Sequence, residues 1–448
     1  MAPTPRFDCA NVDPSPLARP LPFTFSGRVA PNRILKGAMS EHLASFSLKI
    51  VEERGMPSRQ LVQAYKNWGN AEIGMNLTGN IMVDPNHLEA AGNAVISRNE
   101  PFFGKRFELF QEIAAAGKAN GSLLVAQIGH PGRQTPMEVQ PHPISASAIQ
   151  LKANTLGRAF GNPRAATIED INYIVDCFAH AAEFLDKAGF DGVELHGAHG
   201  YLISQFLSPT TNLRDDQYGG DLKNRMRLIH EIKNEISKRV RKDFIVGIKI
   251  NSVEFQKDGL QPDEAKEVCR ALEDWEFDFV ELSGGTYENW GLEIHKRQST
   301  LEREAFFLQF AKLIVPALTK TKVYVTGGLR TVEGMVKALE TVDGIGLGRA
   351  LCQEPDLCRH ILSGAVKGAM LQKLDLQDFG ATAGVAGVQI TQIGHDMQPI
   401  NLCLEDNVAK VFGALGEWMA ANKDDVELCG FPVLEGYNVP YSSQETVI

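Results

Sequence analysis

Short apolar runs recur along the chain with amphipathic stretches between them, a rhythm that predicts parallel strand-helix units. The runs that read as strands are Ile34–Met39, Met75–Ile81, Leu123–Ile128, Gly192–His196, Phe244–Ile250, Phe279–Ser283, Val323–Thr326 and Gly344–Leu347. Between them, Ile171–Ala188 carries apolar residues at helical spacing behind Thr167, a candidate cap, and Pro262–Trp275 has proline in its first turn. Strands that each lead into a helix favour an α/β fold of the (β/α)8 TIM-barrel kind over a doubly wound sheet.

The barrel is expected over 23–363, with Phe23–Gly27 as a short hairpin closing its bottom. Ahead of it, residues 1–22 read as an extended arm, because Pro3, Pro5, Pro14, Pro16 and Pro20 deny the segment a regular ladder or helix. Residues 364–448 form a C-terminal extension that packs on the barrel or on a neighbouring subunit, with an amphipathic helix over Asp406–Ala421. The long excursions Gly129–Asn162 and Gly284–Leu301 fall where a barrel carries its specificity loops.

Composition narrows the function classes. A 44% hydrophobic and 22% charged chain has the make-up of a water-soluble globular protein with ample core. A formal net charge of -10 argues against a nucleic-acid partner and leaves a small-molecule enzyme as the simpler expectation. The 7 cysteines are scattered without a Cys-x-x-Cys pair, the usage of reduced thiols in a cytoplasmic protein. No apolar run is long enough to span a bilayer, and the N-terminus lacks the apolar core of a secretion signal.

The chemistry is densest at the end of the fourth strand, where His196, His199 and Tyr201 follow Val193-Glu194-Leu195. Ligands bind at that end of parallel strands. A His-x-x-His pair can hold a metal, but here it follows a strand, has glycines beside it and lacks the helical Glu of a zinc motif, so no metal is expected. Two readings remain: imidazoles satisfied by backbone in a tight turn, or two donors aimed at one ligand oxygen with the Tyr201 hydroxyl as a nearby proton source. At the seventh and eighth strand ends, Gly327 and Gly328 precede Arg330, and Gly348 precedes Arg349. Each could be a mere turn; at consecutive strand ends they favour a phosphate. Lys249 shares a strand face with Gly247 and Asn251, and either snorkels or faces an anion.

The run HGAHGYLISQFLSPTTNLRDDQYGG, followed by Asn224-Arg225, resembles the signature of the old yellow enzyme family of FMN-dependent oxidoreductases. The resemblance implies a site for FMN. Ala38, Met39 and Ser40 would lie along the flavin, Gly79 would supply backbone, Gln127 would meet the pyrimidine edge and Lys249 would stand near N1. Gly327, Gly328, Gly348 and Arg349 would clamp the phosphate. It further implies that NADH or NADPH donates hydride and that an electron-poor alkene (an enone, an enal or a related acceptor) receives it. His196 and His199 would polarise the substrate oxygen and Tyr201 would protonate the α-carbon. His42, Tyr287 and Trp290 are candidate substrate-wall residues. Departures from the family pattern at His42, at Pro131 after His130 and at Asp221 leave the substrate open, as are the choice of nicotinamide and the oligomeric state. An NAD(P)H oxidase or quinone reductase on the same barrel is the alternative, with a flavin-free phosphate-binding lyase or isomerase, or a non-catalytic binding subunit, further off.

Overall fold

The computed structural model describes residues 4–152, 159–253, 259–284, 308, 310–376 and 378–442. Eight parallel strands close into a barrel: Ile34–Lys36, Met75–Leu77, Leu123–Gly129, Gly192–Gly197, Ile245–Val253, Phe279–Gly284, Lys322–Thr326 and Gly344–Leu347, the last pairing back onto the first. Buried strands in a parallel barrel take apolar residues on both faces, and these runs are buried almost throughout. Acids at the strand starts fix the register. Asp191 accepts from Leu124 N, Asp278 from Val246 N and Asp343 from Val323 N, so each ties its strand to the preceding one.

The bottom of the barrel is filled by rings. Phe23, Phe279 and Tyr324 meet in sequence, first tilted and then edge to face, with centroids 6.1 and 5.8 Å apart, in a cluster that includes Leu35, Leu77 and Val125. Burying each ring contributes roughly 2–3 kcal/mol. Gly247 makes room for one of them, since a Cβ there would stand 2.2 Å from the Phe279 ring. The hairpin does close this end, but its strands are Leu21–Pro22 and Val29–Ala30, and the expected strand residues after Pro22 belong to the turn.

Other boundaries also move. The first strand stops at Lys36, because Gly37 bonds to Leu347 O and the chain then leaves for the site. The predicted second strand is interrupted after Leu77, where Gly79 N turns to Glu41 Oε1 (2.7 Å), and it resumes as Ile81–Met82 beside Ile128–Gly129. The fourth-strand helix precursor runs Ile168–Lys187 with Thr167 and Asp170 in a capping box, and the helix after the fifth strand runs Pro262–Asp274.

The arm is docked. Phe7 N donates to Ala369 O, and Arg6 pairs with the buried Glu354 at 2.6 Å. In the C-terminal segment, the helix Phe379–Gly394 went unread in the sequence because small and apolar residues surround it on all sides, which gives no amphipathic signal. It is buried between the barrel helix Arg59–Gly69 and the final helix Glu405–Asp424. Tyr441 donates to Asp356 at 2.7 Å, fastening the end of the described chain to the barrel. All seven cysteines are free thiols, and among the described residues no helix is long and apolar enough to cross a membrane.

Candidate active site

His196 is the last residue but one of the fourth strand, and His199 follows at φ 57, a left-handed conformation. The rings meet edge to face, with His196 Nε2 3.1 Å from His199 Nδ1. Tyr201, at the N-terminus of the helix Leu202–Leu207, lays its ring flat on His196 with centroids 4.0 Å apart. Tyr201 and His196 are 2% and 4% exposed, which removes most bulk water from the pair. The structure therefore brings together the three residues singled out for catalysis.

Three of the residues that hold them, Asn80, Glu89 and Ser283, were not singled out in the sequence. Asn80 lies between His196 Nδ1 (2.8 Å to Oδ1) and Tyr201 Oη (3.1 Å from Nδ2), and its amide nitrogen also reaches Glu89 at 2.7 Å. Ser40 Oγ donates to the same Glu89 oxygen at 3.1 Å. Ser283 Oγ lies 2.9 Å from His199 Nε2, and Asn251 Oδ1 accepts from His199 N. Burial and the neighbouring Lys249 charge pull the His199 pKa down to about 3; burial, His199 and Lys249 hold His196 well below the ordinary imidazole range. Both rings are neutral at physiological pH.

Lys249 does face an anion, and the anions are in the chain. Its ammonium is 3.2 Å from Glu281 and 3.6 Å from Glu194, both fully buried. Burial works against the ammonium, but the two carboxylates outweigh it and raise its pKa. Burial, then the Glu281 charge, pushes Glu194 well above the usual carboxylate range. Gln127 joins the cluster by donating to Glu194 at 2.6 Å. The signal for these partners was a glutamate in each of two apolar Val-Glu-Leu strands.

Among the other expected residues, Met39 Sδ borders Gly348, Ala38 packs on the barrel-bottom cluster, and Gly79 N is held by Glu41 and Tyr65. Gly327 and Gly328 turn the seventh strand end with φ 150 and 78, the latter open to glycine at little cost. Arg349 donates to Thr382 and lies 5.6 Å from the Phe379 ring centre. His42 sits at φ 55 with its ring 5.5 Å from Phe431, against the C-terminal segment. Tyr287 and Trp290 lie outside the described residues.

One further group has the composition of a metal site: Asp84, His87 and His130, all buried. Its hydrogen bonds assign it differently. Ile144 N donates to His87 Nε2 and Gly132 N to His130 Nδ1, so each ring carries its proton on the nitrogen that faces Asp84. His87 Nδ1 is 2.7 Å and His130 Nε2 3.8 Å from that carboxylate. The lone pairs a metal needs are already taken by backbone.

Residues 21–367 match the model of the NADH:flavin oxidoreductase / NADH oxidase family. The chain belongs to this family. It is 52% identical over 434 residues to the NADH-dependent flavin oxidoreductase nadA of Aspergillus parasiticus, covering 96% of this chain and 98% of that protein. The old yellow enzyme homologue from Zymomonas mobilis superposes with a TM-score of 0.63 at 22% identity, over 79% of this chain and 94% of that one. A 2-naphthoyl-CoA reductase in complex with 2-naphthoyl-CoA gives 0.70 at 20% identity, over 84% of this chain and 59% of that one. The fold is thus that of the old yellow enzymes, and the protein is an FMN-binding oxidoreductase. The residues present suit the cofactor. Burial lowers the Arg349 pKa, a penalty that a phosphate would relieve, and the buried Thr326 Oγ1 on the seventh strand and Asn251 Nδ2 on the fifth have no protein partner.

Proposed function

We propose that the protein reduces the C=C bond of electron-poor alkenes such as enones and enals, with NADH as hydride donor. When bound, FMN would supply the hydride chemistry that links the nicotinamide to the alkene β-carbon. Met39, Gln127, Lys249, Gly327, Gly328, Gly348 and Arg349 are the residues that would hold it.

The observation that carries this reading is the Tyr201 ring stacked at 4.0 Å on His196, beside His199, in a buried strand end. An imidazole N–H there binds the carbonyl oxygen and stabilises the negative charge that develops on it. Tyr201 delivers the proton that the α-carbon needs, and its buried position keeps competing water away.

Tyr201→Phe separates the steps in stopped-flow measurements. Reoxidation of the reduced enzyme by cyclohexenone should slow by roughly 10²–10⁴-fold, the usual contribution of a general acid, while reduction by NADH changes far less. Equal losses in both steps would remove Tyr201 from the proton-donor role. Reoxidation by oxygen or quinone alone, with no enone turnover in the unaltered enzyme, would assign the alternative acceptor.

A further inference from the structure

The hydrogen bonds around Asn80 have a direction, and Glu89 sets it. A carboxylate oxygen accepts, so the amide group 2.7 Å from Glu89 Oε2 is the Asn80 nitrogen. The same nitrogen then points its second hydrogen at Tyr201 Oη, 3.1 Å away, with Ser40 Oγ more distant at 3.4 Å. The Asn80 oxygen is left for His196 Nδ1, which must donate to it. Turning the amide over would press its oxygen against Glu89, and it would reverse the bond to His196 by asking Nδ1 to accept. That choice propagates. A neutral His196 with its proton on Nδ1 has a lone pair on Nε2, so His199 Nδ1 donates across the 3.1 Å gap, and His199 Nε2 accepts from Ser283 Oγ.

We propose that Glu89, acting through Asn80, is a positioning residue that fixes the tautomer of His196 and the hydrogen-bond polarity of Tyr201. This rests on the proton-donor reading of Tyr201 given above. In the free site the His199 Nδ1–H is spent on His196 Nε2, so a substrate oxygen that takes over this hydrogen meets one donor from the pair, not two. For both to donate, the pair must take up a proton, which burial and the Lys249 ammonium oppose. The Asn80 N–H aimed at Tyr201 Oη has a second consequence. When the Tyr201 O–H bond breaks and a C–H bond forms at the substrate α-carbon, the phenolate left behind already has a donor, and water restores its proton at the end of the cycle.

The test uses the full-length FMN-loaded protein. Histidine ring 15N shifts report the tautomer, and 13Cζ-labelled tyrosine, assigned with Tyr201→Phe, reports the phenol titration. In Glu89→Leu the amide loses its fixed acceptor. His196 should then populate both tautomers, the Tyr201 phenol should titrate at higher pH, and the enone-dependent step should slow about tenfold relative to the NADH-dependent step, in kcat more than in KM. Glu89→Gln, whose amide oxygen can still accept, should recover part of each effect. If Glu89→Leu does not fold, Asn80→Asp decides. It can accept from His196 but cannot donate to Tyr201, so the tautomer should stay while the enone step falls. An unchanged His196 tautomer and an unchanged ratio of the two steps in Glu89→Leu, or in Asn80→Asp an unslowed enone step, would overturn the proposal. Should Tyr201→Phe leave the enone step intact, the proton-donor reading falls alone, because the histidine tautomer is read without catalysis.

Discussion

At the scale of single residues, the buried charges decide what the barrel top can bind. Lys249 shares the fully buried Glu194 and Glu281, and no other cation is within ion-pair distance of either carboxylate among the described residues. Removing the ammonium leaves Glu281 buried against Glu194 with no counter-charge. Lys249→Met should therefore lower the unfolding free energy by about 3–5 kcal/mol in denaturant titrations of the cofactor-free protein. Adding Glu281→Leu should restore part of that loss, since a well-packed apolar pair replaces an ion pair at little cost. A midpoint that does not move in Lys249→Met would mean that Lys249 is held by something other than these two acids. The charge on Lys249 and its strand face were legible in the sequence; its partners were not, because strand order across the barrel determines which side chains meet.

At the scale of elements, the long signature from His196 onward divides into two kinds of residue. His196, His199 and Tyr201 face the site, whereas Asn212 and Arg214 bond to backbone: Asn212 to Phe206 O and Tyr218 O, Arg214 to Ala146 O and Ala166 O. Asn212 ties the loop to itself and Arg214 clamps it onto the excursion after the third strand, so a recognisable motif is here mostly architecture. The helix Phe379–Gly394 shows the reverse case, an element with no motif that touches Arg349, the residue proposed above for the cofactor phosphate. Its Thr382 holds Arg349 beneath the Phe379 ring. Thr382→Val keeps the shape of the side chain and removes the hydroxyl. Fluorescence titration of the cofactor-free variant should give an FMN dissociation constant raised about tenfold, the worth of one hydrogen bond to a charged group. An unchanged constant would detach the helix from cofactor binding.

At the scale of the whole molecule, the Asp84, His87 and His130 cluster ties the segment after Ile81–Met82 to the third strand end and makes stability depend on pH. Burial, then the His87 neighbour, brings His130 down to about 4, against 6.5 for an ordinary imidazole. The unfolded chain therefore takes up this proton first as pH falls. The contribution of neutral His130 is complete above about pH 6.5 and is lost progressively toward pH 4, by up to about 3 kcal/mol. Asp84, whose pKa is lowered by the same histidines against the opposing effect of burial, keeps its contribution through that window and loses it only below the ordinary carboxylate range. Chemical denaturation at intervals from pH 7 to pH 4 should show this slope, and His130→Phe should flatten it. An identical slope in the variant would move the effect to other groups.

The sequence by itself determined the local and periodic features: the alternation of strands and helices that makes a (β/α)8 barrel, the Thr167 cap, the glycine turns at the last two strand ends, and the unbroken segment that carries His196, His199 and Tyr201. Such features are written in neighbouring residues, where spacing and turn chemistry act directly. Tertiary structure alone decided the rest. It brought Asn80 and Glu89 to Tyr201, set Glu194 and Glu281 around Lys249, seated His42 against Phe431 and buried a helix without an amphipathic face. Those contacts join residues far apart in the chain, and their energies come from desolvation and hydrogen-bond direction inside a closed barrel, neither of which exists until the strands have paired.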